Sequence, residues 1–79
     1  MKRVSLIRQT KKGNIRYYRI ELFLTLFGDY ILEREYGNIR YKGPTGIRKN
    51  YFARFDEAIA QYDKIIKQKI RKGYKYQYA

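Results

Sequence analysis

Two periods divide the chain. As far as about Phe52 the apolar residues recur at every second position, and from Phe55 onward they recur at every third or fourth. That change of period predicts strands followed by one helix. In Lys2 to Gln9, Val4 and Leu6 share one face and Ser5 and Ile7 the other, which is a first extended segment. Thr10-Lys11-Lys12-Gly13-Asn14 reads as a turn, because Gly and Asn tolerate the positive φ that hairpin connections need. Ile15 to Leu24 alternates most clearly, with Tyr18, Ile20, Leu22 and Leu24 against Tyr17, Arg19, Glu21 and Phe23. Thr25 to Asp29 is the next reversal, signalled by Gly28-Asp29, and it holds an apolar pair, Leu26 and Phe27. A third strand covers Tyr30 to Tyr36 and ends at Gly37. A glycine-rich loop runs from Gly37 to Ile47, and a fourth short strand spans about Arg48 to Ala53. Connections this short imply an antiparallel meander.

In the last third, Ala58, Ile59, Tyr62, Ile65, Ile66 and Ile70 fall on one helical stripe. Asp56 as N-cap, or Glu57 as the far half of a capping box, marks its start. Lys64, Lys67, Lys69, Arg71 and Lys72 suit the negative end of the helix dipole, and Gly73 supplies a left-handed cap. The tail from Tyr74 to Tyr78 alternates aromatic and polar residues as a final edge strand would, with its tyrosines packed on the sheet. The expected fold class is α+β, a small antiparallel sheet of four to five strands with one amphipathic helix on one face. It forms a single domain over residues 1–79.

Composition narrows the function. A chain of 79 residues buries only about 60% or a little more of its unfolded surface, so large internal cavities are not expected. With no cysteine and no histidine there is no disulfide, no thiolate nucleophile, no zinc cluster and no imidazole base. No apolar run approaches the ~20 residues that span a bilayer, and the N-terminus lacks a signal-peptide core. A cytoplasmic protein with no membrane partner, no metal and no cofactor is the expectation. The formal net charge of +12 favours polyanions, nucleic acid first among them.

Two catalytic patterns fail on inspection. Glu33 and Glu35 would point to the same side of a strand about 7 Å apart, as paired catalytic carboxylates do, but among so many cations they read more simply as a charge ladder. Lys42-Gly43-Pro44-Thr45-Gly46 has the look of a phosphate loop, yet such a loop must open a helix and here a strand follows. No enzyme is expected. A binding site reads better, with Arg40, Lys42, Arg48 and Lys49 neutralising phosphates around Tyr36, Gly37 and Asn38. Tyr36 stands either at the rim of the sheet, free to stack on a base or sugar, or in the core beside Tyr30 and Leu32, and its spacing leaves both open. Leu26 and Phe27 either fold back or meet a partner, a second copy of the chain included. Gly13-Asn14-Ile15-Arg16-Tyr17 recurs residue for residue at Gly37-Asn38-Ile39-Arg40-Tyr41, a turn exit used twice.

The succession Tyr36-Gly37-Asn38-Ile39, a glycine-containing loop, Phe52, Phe55-Asp56-Glu57-Ala58, Tyr62, Lys69 and Gly73-Tyr74 resembles the WGR domain, from about Ser5 to Tyr78. That family is known from DNA-damage-sensing poly(ADP-ribose) polymerases and from bacterial proteins. The resemblance implies a sheet with one helix on a face and a module that contacts DNA near a strand break and touches neighbouring domains. The family's signature tryptophan corresponds to Tyr36, its glycine to Gly37 and its arginine to Asn38, which lacks the charge and the fork of donors. Arg40 brings a cation back to the same loop. The polymerases' catalytic domain is absent. The resulting expectation is a nucleic-acid-binding module, DNA before RNA, that works through phosphates and favours ends or nicks. A protein-interaction adaptor is the alternative.

Overall fold

The alternating segments form one five-stranded antiparallel sheet in the order β4-β3-β2-β1-β5. The structure, a computed structural model, describes residues 1–77. The strands are β1 (Lys2–Gln9), β2 (Ile15–Leu24), β3 (Tyr30–Asn38), β4 (Gly46–Phe52) and β5 (Lys75–Tyr76), with α1 (Phe55–Arg71) between β4 and β5. This is the expected meander with a helix on one face. Among the described residues no helix is long and apolar enough to cross a membrane.

The core lies where α1 covers the sheet. Leu6, Ile20, Leu22 and Leu32 are fully buried, and Ala58, Tyr62 and Ile65 meet them from the helix. Burying each such aliphatic side chain is worth about 1.5–3 kcal/mol. The uncovered face is a lattice of charge. Across it run Arg3, Glu21, Glu33 and Lys49 in one row and Ser5, Arg19, Glu35 and Ile47 in the next. Arg19 pairs with Glu35 at 3.2 Å, and the Tyr17 hydroxyl donates to the same carboxylate at 3.1 Å. Glu33 and Glu35 therefore belong to the ladder expected of them.

Three boundaries differ from the periodicity. β3 continues past Tyr36 because Gly37 pairs with Tyr17 and Asn38 with Arg16. Gly37 does not end its strand. It is glycine because a Cβ there would lie 2.9 Å from the Thr45 backbone nitrogen and 3.2 Å from the Tyr17 hydroxyl. β4 begins at Gly46, opposite Tyr36. The helix starts two residues before an Asp56 N-cap would set it, with Arg54 in the N-cap position, where a capping box ending at Glu57 puts it, but with no side-chain cap; Phe55 is already committed against Tyr30, ring centroids 5.5 Å apart. Asp56 instead takes a two-pronged contact from Arg54 and a hydrogen bond from the Glu57 amide.

The two hairpin turns of β2 are built alike. The Thr10 amide donates to the Asn14 carbonyl (2.8 Å) and the Gly13 amide to the Thr10 carbonyl (3.0 Å). The Thr25 amide donates to the Asp29 carbonyl (2.9 Å) and the Gly28 amide to the Thr25 carbonyl (3.3 Å). Gly13 and Gly28 sit at φ 82° and 91°, the left-handed residue that closes a three-residue hairpin loop.

Candidate nucleic-acid interface

At the Arg16 end of β2 the helix side of the sheet carries three parallel rows. The first holds Arg8, Arg16 and Asn38, the second Leu6, Tyr18, Tyr36 and Gly46, and the third Val4, Ile20, Arg34 and Arg48. Tyrosines are thus flanked by cations on both sides. The rings of Tyr18 and Tyr36 stack at 5.5 Å with planes 10° apart. Tyr36 reaches across to Gly46, where a Cβ would lie only 2.5 Å from its ring. Its two sequence readings merge: it is half-buried against the core, and it lines the cleft.

The helix C-terminus supplies the remaining wall. Lys72 is the C-cap residue and Gly73, at φ 100°, follows it. The Gly73 amide donates to the Ile70 carbonyl (3.1 Å) and the Tyr74 amide to the Lys69 carbonyl (3.0 Å), a Schellman motif. This reversal sends Tyr74 into the core, edge-on to Tyr18 at 6.1 Å. Tyr74 therefore packs on the sheet as expected, although it precedes β5, and Tyr78 lies outside the described residues. Lys69 then lies over both rings, 4.4 Å from the Tyr18 centroid and 5.8 Å from that of Tyr74.

The result is an open cleft of about 350 Å³ lined by Arg16, Tyr18, Arg34, Tyr36, Arg48, Lys69 and Tyr74. Four cations line it, and no carboxylate does. Arg34 gives one donor to Asn50 at 3.0 Å, while its Nε is buried without a partner. Burial, followed by the charges of Lys72, Arg34 and Arg8, lowers the Lys69 pKa from its ordinary value. Burial raises that of Tyr18, against the hydrogen bond from Arg34. A cation disfavoured by its neighbours is one that an anion relieves.

The residues singled out from sequence are dispersed by this arrangement. Tyr36 and Arg48 line the cleft. Gly37 is buried beneath Thr45. Asn38 is buried, and its side-chain oxygen accepts from the Arg40 amide at 2.9 Å, which shapes the loop. Arg40 lines a separate hollow of about 300 Å³ with Gly13, Asn14, Ile15, Asn38 and Ile39, so the repeated pentapeptides lie side by side, joined by a 3.0 Å bond from the Ile39 amide to the Ile15 carbonyl. Lys42 is exposed in the β3–β4 loop. Lys49 lies on the opposite face, across from Glu33. Sequence reading missed Arg16, Arg34 and Lys69. Arg34 was visible in the alternation that holds Leu32 and Tyr36, whereas Arg16 and Lys69 depend on register and on the Gly73 reversal.

This sheet, its single helix and the tyrosine at the signature position are the layout that the resemblance implied, and the WGR domain family matches residues 3–79. The chain belongs to the WGR domain family. The WGR domain is a binding domain associated with nucleic acids and is not catalytic by itself. No curated protein and no solved structure matches the chain.

Anion binding in this cleft would carry a pH signature. A bound phosphate raises the pKa of Lys69 back towards its ordinary value, so above the lowered pKa binding takes up a proton. Affinity for a phosphate-bearing ligand is then expected to fall with rising pH before ordinary lysines titrate near ~10.4. In Lys69→Met, which keeps the aliphatic stem over the rings, that early fall should be missing. Parallel pH profiles for the two proteins would remove Lys69 from the site.

Proposed function

We propose that this WGR domain binds DNA at the tyrosine–arginine cleft and prefers strand ends and nicks to continuous duplex. The observation that carries the reading is a cleft floored by tyrosine rings and walled by Arg16, Arg34, Arg48 and Lys69 with no acid among its lining. Cations in such a setting neutralise backbone phosphates. The preference for ends follows from size and stacking. A hollow of about 350 Å³ suits one nucleotide, and Tyr36 is held between Tyr18 on one ring face and Gly46 on the other. A nucleotide at an end or nick can leave its stack and enter the cleft beside the part of Tyr36 that lines it, whereas bases inside a continuous duplex stay covered on both faces. Lys11, Lys12, Arg40 and Lys42 stand on the turn and loop at this end and extend the positive surface. The protein acts by binding and catalyses nothing.

The test is fluorescence anisotropy across a salt series with an open-ended duplex, a nicked duplex, an end-closed duplex and single-stranded RNA. If each cleft cation meets a phosphate, the logarithmic salt slope is about −3.6 or steeper on duplex. Open and nicked duplexes should bind tighter than the closed one. Equal affinity for all four would make the protein a general polyanion binder, and no binding at moderate salt would leave only the adaptor reading.

A further inference from the structure

The two hairpin tips of β2 are the same turn carrying opposite chemistry. Thr10-Lys11-Lys12-Gly13-Asn14 and Thr25-Leu26-Phe27-Gly28-Asp29 share their threonine, their left-handed glycine and their backbone hydrogen bonds. The central pair of such a loop is free of structural duty, and at the first tip it is Lys-Lys. At the second it is Leu-Phe, with relative exposures of 101% and 95%. The pair has not folded back. Its turn is locked further by the Phe27 amide donating to the Thr25 hydroxyl at 3.1 Å and by the Thr25 hydroxyl donating to the Asp29 carboxylate. Leaving two large apolar side chains in water where lysines fit equally well has no account in the fold.

We infer that the Leu26–Phe27 tip is a docking knob for a second protein, of different sequence, that presents a concave apolar pocket. Three observations select that occupant. Among the described residues the hollows offer a second copy no purely apolar socket: the tyrosine–arginine cleft, the one on α1 formed by Ala60, Asp63, Lys64, Lys67, Gln68 and Arg71, and the hollow between Arg3, Arg19, Glu21, Glu33 and Glu35 on the uncovered face are walled by charge, and the hollow at Arg40 sets Ile15 and Ile39 beside two asparagines and an arginine. Tip-to-tip pairing sets one convex knob on another, covers far less than the roughly 800 Å² per partner of a stable interface, and brings two +12 chains together. A phosphate surface, whether duplex or membrane, is disfavoured because Asp29 closes the turn and Glu57 opens the helix next to Phe55, whose ring meets Tyr30. The cations near this end are engaged: Lys2 lies over the Tyr62 ring and Arg54 pairs with Asp56. Around the knob, Leu24, Tyr51 and Phe55 are also exposed, so a pocket that takes the tip has apolar surface to close on. Since β2 runs from the cationic cleft to this tip, the partner would sit at the far end of the strand from any nucleic acid.

The experiment places the photo-crosslinker p-benzoylphenylalanine at Phe27, and at Lys12 in a matched control, in the full chain inside the cells it comes from. The protein captured at position 27 and not at 12 is then purified and titrated against wild type and the tip swap L26K/F27K. The swap should weaken that binding by about 100-fold or more, while thermal stability and DNA affinity stay within experimental error. Identical capture at both tips, capture of the chain's own second copy, absence of capture or unchanged affinity of the swap would each overturn the inference. So would a loss of stability on swapping, because it would give Leu26 and Phe27 a role in the fold. DNA binding is read separately, so failure of the cleft proposal leaves this one standing.

Discussion

Replacing Arg16 and Arg48 together with alanine is expected to weaken DNA binding by about 100-fold at moderate salt. Two charge-assisted hydrogen bonds at about 1.5 kcal/mol each give that factor. The salt slope should flatten by about 1.8 at the same time, two phosphates at ~0.9 each. These two arginines stand in different rows, one on either side of the Tyr18–Tyr36 stack, so a nucleotide entering the cleft between them meets both. Neither side chain makes a hydrogen bond or an ion pair with another described residue, and removing them relieves repulsion around Arg34 and Lys69. Thermal stability should therefore hold or rise slightly, which separates the effect from unfolding. Lys49→Ala is the matched control. It is adjacent to Arg48 in sequence but opposite Glu33 on the other face, so its slope should equal that of wild type. If Lys49→Ala weakens binding and the double arginine variant does not, the nucleic acid lies on the charged ladder and the cleft proposal fails.

The fold was legible because its two periods are physical consequences of where each element is buried. Alternation in Ile15 to Leu24 and the stripe from Ala58 to Ile70 predict β2 and α1, since a half-covered sheet and a one-sided helix leave those repeats. The reading of Gly73 as a left-handed cap succeeds for the same reason: a local backbone need is visible locally. The site was less legible because its members are neighbours only through register. Tyr36 and Arg48 could be chosen from one stretch of sequence, but Arg16 joins them from β2, and Lys69 joins from a helix end where basic residues already had a structural explanation. Proximity in sequence also grouped Lys49, Gly37 and Asn38 with the site, and the structure places them apart from the cleft. One residue along a strand reverses the face, Gly37 answers a backbone contact with Thr45, and the Asn38 oxygen is engaged by the Arg40 amide. Tyr36, at the family's tryptophan position, serves the core and lines the cleft at once.

Gly46→Ala is expected to cost about 1–3 kcal/mol of stability, the range for overpacking a fitted contact. In a domain this small each kcal/mol lowers Tm by about 4–8 °C. The backbone is not the reason, because Gly46 is not among the glycines at positive φ. The cause is steric: the added Cβ would lie 2.5 Å from Cζ and from the hydroxyl oxygen of Tyr36 and 2.8 Å from Cε2. The ring is held on its other side by Tyr18, so it cannot yield without breaking the stack. A double-mutant cycle isolates this claim. In a Tyr36→Ala background the methyl at position 46 has nothing to strike, and Gly46→Ala should become nearly neutral, giving a coupling of about 1 kcal/mol or more. Additive costs would mean that Gly46 is needed for some other purpose. Binding data on the single variant carry the argument from packing to function. Tilting the ring of Tyr36 leaves Arg16, Arg34, Arg48 and Lys69 in place, so Gly46→Ala should keep the salt slope of wild type and lose the preference for open over closed duplex ends. Loss of the slope together with the preference would show that Tyr36 positions the cations as well as the nucleotide.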